Sequence, residues 1–389
     1  MRLLIKIMLR LLIENIYPSK FRFVELTMEV SLKDIGTIIT GNTPSKKDKK
    51  YWDSKDICFV KPDIIGDDID SITNSNEYIS NFASSKARIV KRNTILITCI
   101  GNIGRIGIVS KEKIAFNQQI NAIIPNSKIN LRYLAYVLLF SRPRLKALAN
   151  AAVVPIVNKT QLESFKIEID PELEHQDKIA NTLDEIEKIK KIQNKEIEYL
   201  DTLIKARFVE MFGDPICNSK NKSTTKFINV VKLQRGFDLP IRKRNTQGKI
   251  PVYGSNGVLG YHDEFKASSG IITGRSGTIG KVYYENNEFW PLNTALFSVK
   301  TYGNNIIYLK YLVSLFKLER FCNGAGVPTL NRNNVHKQKI IDIPIKEQNK
   351  FASFVQQVDK SKVVNASIMK YIISIRFYLY FKENKEGAR

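Results

Sequence analysis

The chain has 389 residues, of which 43% are hydrophobic and 25% charged. That composition excludes a disordered chain and gives room for two to three domains with cores of their own. Lys and Arg number 61 against 38 Asp and Glu, a net charge of +23. Such an excess points to a polyanionic partner, nucleic acid being the commonest, although a coding bias towards Lys, Asn and Ile would also raise it. Cys58, Cys99, Cys217 and Cys322 form no CxxC pair, and His175, His262 and His336 are scattered. These spacings argue against a disulfide framework or zinc site and fit a reducing cytosol. No apolar run approaches the ~20 residues of a membrane span. The nearest candidate, residues 371–381, is short and carries Arg376.

Residues 1–27 open the chain. Lys6, Arg10 and Glu14 recur every four residues through an apolar stretch, so they share one stripe of a helix. Neither an unbroken apolar region nor a small-residue cleavage site is clear, so a secretory signal is not indicated. Two readings fit: a short amphipathic helix that docks on the rest of the chain, or a true translation start at Met28.

After Met28 the chain repeats itself. Gly101-Asn-Ile-Gly104-Arg-Ile matches Gly277-Thr-Ile-Gly280-Lys-Val, and Asn117 matches Asn293 at the same offset of 176. Tyr133-Leu134 matches Tyr308-Leu309, Val154-Pro155-Ile-Val-Asn158 matches Val327-Pro328-Thr-Leu-Asn331, and Gln176 matches Gln348. The order is kept while the offset drifts only to 172, which marks two copies of one plan. Each copy reads as a mixed α/β domain followed by a long helix. Short strands at 95–98 and 271–273 lead into glycine turns, and short core helices are expected at 131–140 and 306–316.

The first long helix is expected to be capped by Asp170, with Pro171 in its first turn. Ile179, Leu183, Ile186, Ile189, Ile192, Ile197, Leu200, Ile204 and Phe208 give it one apolar stripe, and Gly213 and Pro215 stop it. About 40 residues at 1.5 Å rise make a rod of roughly 60 Å. Between residues 172 and 210 it holds ten acids and seven bases, so the positive charge lies in the globular parts. The second long helix is expected from about Glu347, with Phe351, Phe354, Val355, Val358, Val363, Ile368, Ile372, Ile375 and Leu379 along it. Each stripe needs a partner, so the two helices are expected to pair antiparallel, as an imperfect coiled coil.

Catalytic signatures are missing. Gly274-Arg-Ser-Gly277-Thr-Ile-Gly280-Lys281-Val282 fails the phosphate-loop pattern, because Arg275 stands where its first glycine belongs and Val282 replaces Ser or Thr. There is no G-x-S-x-G, H-E-x-x-H or G-x-G-x-x-G run, and no Asn-Pro-Pro-Tyr or Asp-Pro-Pro-Tyr. A chain that binds without catalysing is expected. Candidate binding residues are abundant. Lys46, Lys47, Lys49 and Lys50 precede Tyr51-Trp52 in one loop and suit phosphate contact. Asn102, Arg105, Gln118 and Gln119 carry the side chains that read base edges, while Asn117, matched by Asn293, suits a scaffold role. Residues 220–245 hold eight bases, among them Lys232, Arg235, Arg242, Lys243 and Arg244, against the single acid Asp238. Tyr261, His262, Arg275, Ser276 and Lys281 lie on the turns that follow. Solvated loops and turn hydrogen bonding are the alternative reading for all of these.

Leu32-Lys-Asp-Ile-Gly-Thr, Gly41-Asn-Thr-Pro44, Tyr51-Trp52, Gly101-Asn-Ile-Gly104, Val154-Pro155, Glu174-His-Gln176 and Met211-Phe212-Gly213 occur in that order. Ile250-Pro-Val-Tyr-Gly-Ser-Asn-Gly257, Ile271-Ile-Thr-Gly-Arg-Ser-Gly277, Val327-Pro328 and Glu347-Gln348 follow. Together they resemble the specificity subunit of type I restriction–modification enzymes over nearly the whole chain from Met28. The resemblance implies an α+β chain with pseudo-two-fold symmetry. Target-recognition domains would lie at 28–170 and 214–345, with spacer helices at 171–213 and 346–389. It implies a non-catalytic subunit that binds a bipartite double-stranded DNA site, with half-sites ~34 Å apart. Methyltransferase subunits would dock on the helices and bring S-adenosylmethionine. A restriction and motor subunit would use ATP and Mg2+, and this chain itself would hold no cofactor. A recognition module of a solitary adenine methyltransferase, an inactive or truncated specificity allele, and a purely structural repeat protein are the other readings. Three departures from the family pattern stand out: the extension 1–27; Lys360-Ser-Lys362 with Asn365-Ala-Ser367, which replace part of the second helix's apolar stripe; and the aromatic-rich tail after Arg376, which lacks the usual long basic-acidic ending.

Overall fold

The computed structural model describes residues 27–149, 154–245, 247–323 and 326–381, with side chains up to residue 364. The expectations for residues 1–26, and for the side chains of Ile368, Ile372, Ile375 and Leu379, lie outside the described residues. The described residues form two compact units, one within 27–191 together with 368–381 and the other within 192–367.

In the first unit, strands Gly36–Thr40, Ile120–Pro125, Ile95–Thr98, Ile106–Val109 and Ile69–Ile72 lie side by side in that order. All pairs are antiparallel except the last, Ile106–Val109 with Ile69–Ile72. A second sheet runs Glu77–Ile79, Ile57–Val60, Lys113–Phe116, Ile89–Lys91. Ile57–Val60 is buried throughout, as is Ile95–Thr98, the continuous apolar pattern of strands covered on both faces. The helix α1 (Leu131–Phe140) covers one face, with Asn130 accepting from the Tyr133 amide at its N-cap.

The second unit repeats the plan. Its main sheet runs Lys232–Arg235, Ala295–Lys300, Gly270–Gly274, Val282–Glu285, and its small sheet Gly257–His262, Ile250–Gly254, Trp290–Pro291. The four main strands follow the order of their counterparts in the first unit, and the small sheets share one antiparallel and one parallel pairing. The difference lies in one connection. Ile250–Gly254 turns back through two residues, whereas Ile57–Val60 reaches Glu77–Ile79 through sixteen, which carry the extra strand Ile69–Ile72. A helix, α3 (Ile306–Leu315), takes the place of α1, with Asn305 as its N-cap.

The long helices are α2 (Leu173–Phe212) and α4 (Ile345–Phe381). Asp170 is not the residue next to α2; its Oδ1 accepts from the Glu172 amide at 2.8 Å and turns the chain into the helix. Both helix roots are held the same way. The Asn130 amide donates to Gln176 Oε1 at 2.7 Å, and Gln176 Nε2 donates to the Asp170 carbonyl at 2.7 Å. The Asn305 amide donates to Gln348 Oε1 at 2.9 Å, and Gln348 Nε2 donates to the Ile343 carbonyl at 2.7 Å. Gln176 and Gln348 are fully buried, so each closes a gap between domain and helix with no polar atom wasted.

Within the second unit α2 and α4 pack antiparallel. Phe208 and Phe212 meet Phe351, Arg207 lies over Phe354, and further along Lys362 Nζ reaches Asp201 Oδ1 at 2.6 Å. Lys362 also pairs with Asp359. The interruption of the apolar stripe at Lys360-Ser-Lys362 is thus filled by a cation that bridges the two helices. Ile204, Phe208 and Phe212 enter the core formed by Phe227, Tyr308, Leu312 and Val355.

Candidate nucleic-acid interface

Because the main-sheet strands are antiparallel, one end of each sheet gathers a fixed set of loops. In the first unit the pairs Thr40↔Asn121, Thr98↔Ile120 and Ile97↔Ile106 bring together the segments that follow residues 40 and 98 and precede residues 106 and 120. In the second unit Arg235↔Leu296, Gly274↔Ala295 and Thr273↔Val282 do the same. The glutamine clamps sit at the opposite ends, where Asn126 donates to the Ile35 carbonyl and Asn304 Nδ2 to the Val230 carbonyl.

The matched glycine and Val-Pro motifs find a structural reason at the loop end. Gly101 and Gly104 have φ of 75° and 79°, and Gly277 and Gly280 have 87° and 91°, a region that L side chains avoid. The Gly101 amide donates to the Pro155 carbonyl at 3.0 Å and the Gly277 amide to the Pro328 carbonyl at 3.1 Å. Each Val-Pro loop is therefore stitched to its glycine turn. The asparagines that end the Val-Pro motifs, Asn158 and Asn331, both serve as helix N-caps. Residues 274–282 join two antiparallel strands, not a strand to a helix, so the loop lacks the architecture as well as the residues of a phosphate loop.

The lysine loop of the first unit lies across the small sheet. Asn42 fixes its start: Nδ2 donates to the Lys86 carbonyl and Oδ1 accepts from the Arg88 amide, both at 2.6 Å. Thr43 Oγ1 donates to Gln118 Oε1 at 2.7 Å. Lys46 lies over the Trp52 ring, whose Nε1 donates to the Ser45 carbonyl and whose edge meets Phe59. Lys46, Lys47, Lys49 and Lys50 are all exposed, as are Asn102 and Gln118. Gln119 is half-buried, and its Oε1 accepts from Asn117 Nδ2. Asn117 is buried and its Oδ1 accepts from the Gln119 amide, whereas the side chain of Asn293 turns to Asp238.

Arg105 is tethered. Its Nη1 donates to the Ile65 carbonyl at 3.2 Å and its Nε to Asp67 Oδ1 at 3.3 Å. Arg142 reaches the same carboxylate at 2.8 Å, and the two guanidiniums, Arg142 first, hold Asp67 below the usual carboxylate range. Lys281, the counterpart of Arg105, donates to Asn256 Oδ1 at 2.8 Å. In both units the cation after the glycine turn is captured by the connection between the first two small-sheet strands.

In the second unit Arg235, Arg242 and Lys243 are exposed. Arg235 stands 3.8 Å from Asp238, and Arg244 turns inward to donate to the Leu239 carbonyl at 3.3 Å. Tyr261 is exposed, and His262 lies edge-on to Trp290 while its Nδ1 accepts from the Asn245 amide at 3.4 Å. Arg275 donates to the Asn293 carbonyl at 3.3 Å, and Ser276 bridges to Thr329. Lys232 is not brought to this end. It begins its strand opposite Lys300, beside His336, whose Nε2 accepts from the Leu233 amide at 3.0 Å. Sequence reasoning missed Asp67, whose partners Arg105 and Arg142 lie 38 and 75 residues away, and gave Asn42 and Asn256 no such holding role, their partners lying 25 to 46 residues away. Among the described residues no helix is long and apolar enough to cross a membrane, and no group of three or more His, Cys, Asp or Glu could hold a metal ion.

A family model for the type I restriction modification DNA specificity domain matches residues 25–200 and 219–370. The chain belongs to this family. It is 29% identical over 188 residues to the MjaIX specificity subunit of Methanocaldococcus jannaschii, a match covering 47% of this chain and 43% of the relative. It is 31% identical over 105 residues to the HindI specificity subunit of Haemophilus influenzae, covering 27% of this chain and 22% of the relative. The chain thus spans less than half the length of these two relatives. With the EcoprrI specificity subunit of Escherichia coli the match is 21% identical over 376 residues and covers 88% and 91% of the two chains. Among solved structures, the type I S subunit of M. genitalium superposes with a TM-score of 0.55 at 14% identity, over 92% of this chain and 97% of that one. A chain from a structural study of type I R-M complex assembly gives 0.60 at 13% identity, over 93% and 98%. Both share the fold.

Proposed function

We propose that this chain is the DNA sequence-specificity subunit of a type I restriction–modification complex, working in the cytoplasm. Residues 28–170 and 214–345 would be the two target-recognition domains, and the helices 171–213 and 346–389 the spacer that docks methyltransferase subunits. The observation that carries this reading is the duplication itself: two domains of one topology, each with a rigid glycine turn and a basic loop at one sheet end and a glutamine-clamped long helix at the other. A pair of readers on a spacer suits a split site. The chain's chemistry would then be recognition alone, with S-adenosylmethionine, ATP and Mg2+ on partner subunits.

The phosphate contacts we assign to Lys46, Lys47, Lys49, Lys50, Arg235, Arg242 and Lys243, which are exposed. Base contacts we assign to Asn102, Gln118, Tyr261 and Ser276. Arg105, Lys281, Gln119, Arg244 and Arg275 we assign to positioning, because their polar groups are already engaged by the protein. Binding of duplex DNA by the chain, alone and with its methyltransferase subunits, tests the reading. The logarithm of the affinity is expected to fall linearly with log salt, with a slope of about −0.9 per phosphate neutralised. A chain that binds no duplex at low salt contradicts it.

A further inference from the structure

An exposed ring stacked on a half-buried one stands beside the lysine loop of the first domain. The Phe82 ring is 63% exposed and stacks on Tyr51, with centroids 5.7 Å apart and planes 24° from parallel. The short helix that carries it, Asn81–Ser85, is fastened at its start. The Ser80 amide donates to the Tyr51 carbonyl at 2.9 Å, and the Asn81 amide to Asp56 Oδ2 at 2.8 Å. Beyond the helix Asn42 grips Lys86 and Arg88. Lys49 and Lys50 directly precede Tyr51, and Lys86 and Arg88 follow the helix; all four are exposed. The second domain has an exposed ring in the corresponding connection: Phe265, 46% exposed, follows the outer small-sheet strand and precedes Lys266.

A ring left mostly in water adds little to the fold beyond its stacking on Tyr51, and next to a run of exposed cations it suits a polyanion with apolar faces. We propose that Phe82, backed by Tyr51, packs against the sugar or base surface of duplex DNA while the neighbouring lysines hold its phosphates, with Phe265 doing the same for the second half-site. This rests on the DNA-binding reading above. It adds a salt-independent contact that lysines cannot supply.

The test compares the full chain with Phe82→Ser, Phe82→Trp and a Lys49→Ala/Lys50→Ala double variant, using mixed-sequence duplex DNA at several KCl concentrations. Phe82→Ser is expected to bind about tenfold more weakly at every salt concentration, the low end of what covering a Phe side chain is worth, with the salt slope unchanged. Phe82→Trp is expected to restore affinity. The lysine variant lowers the slope by about 2, at ~0.9 per phosphate. If Phe82→Ser binds like the parent while the lysine variant weakens, the apolar contact is refuted and the DNA-binding reading stands. If the parent chain itself fails to bind duplex, both fall. Thermal unfolding checks the fold: a Phe82→Ser midpoint several degrees below the parent, with affinity lost in proportion to unfolded protein, also refutes the contact.

Discussion

Replacing Gln348 by Leu keeps the side-chain bulk and removes both arms of the clamp at the root of α4. Gln348 is 1% exposed and makes three hydrogen bonds: from the Asn305 amide at 2.9 Å, to the Ile343 carbonyl at 2.7 Å and to Asn304 Oδ1 at 2.6 Å. Asn304 is half-buried and can turn to water. The two backbone groups are left without a partner, each costing about 1–3 kcal/mol. The expected loss is about 3 kcal/mol, centred on the unfolding transition of the second domain. Urea denaturation followed by tryptophan fluorescence in a Trp52→Phe background, which leaves Trp290 as the reporter of that domain, measures it. Lys350→Ala, which removes a surface pair with Glu347, is the control and should change stability by less than ~1 kcal/mol. A Gln348→Leu chain as stable as the control would refute the clamp. The same substitution at Gln176 should destabilise the first domain by a similar amount.

Tyr308 is buried with its hydroxyl unpartnered, whereas the Tyr133 hydroxyl accepts from the Asp170 amide at 3.0 Å. Tyr308→Phe should therefore leave stability unchanged or raise it by up to about 1 kcal/mol, and Tyr133→Phe should lower it by about 1–2 kcal/mol, in urea denaturation. Gly41→Ala should destabilise by about 2–3 kcal/mol, since a Cβ there would stand 2.2 Å from the Asn117 carbonyl oxygen. Gly101→Ala has open space around it but a φ of 75°, and should cost about 1 kcal/mol. His336 is buried and its Nε2 accepts from the Leu233 amide, so that nitrogen carries no proton; burial first, then Arg332 and Lys232, hold its pKa below the usual histidine value. A depressed folded pKa means that stability is present above the unfolded value and lost as pH falls through it. The second domain should weaken from pH 7 towards pH 5, and a His336→Gln chain should show a flatter profile; an unchanged profile would refute the assignment.

The duplication was legible because the residues that build it are irreplaceable in type. A left-handed turn asks for glycine at 101 and 277, and the clamp asks for an amide that both donates and accepts at 176 and 348. Such positions survive in both copies and announce themselves in order. The long helices were legible from their stripes, and their antiparallel pairing followed from needing a cover. The excursion at 61–76 was not, because Asp67 acquires its meaning only when it meets Arg105 and Arg142 across 38 and 75 residues. Arg105 looks like a base reader beside a glycine turn until the carboxylate that captures it is seen. Phe82 carried no signal, since a lone aromatic in a polar stretch reads as core; only its exposure and its stacking on Tyr51 set it apart. Lys232 belonged to a dense basic run, yet a strand of four residues carries it to the other end of the sheet from Arg235.

The central claim is that two like domains read two separate DNA half-sites across a fixed spacer. Co-expression of the chain with its methyltransferase subunits in a methylation-free host, with adenine methylation mapped by long-read sequencing, tests it most directly. Two short recognition elements separated by a constant gap are expected, with substitutions in the basic loop of one domain degrading only its own element. A continuous motif, or a soluble complex that methylates nothing, would contradict it.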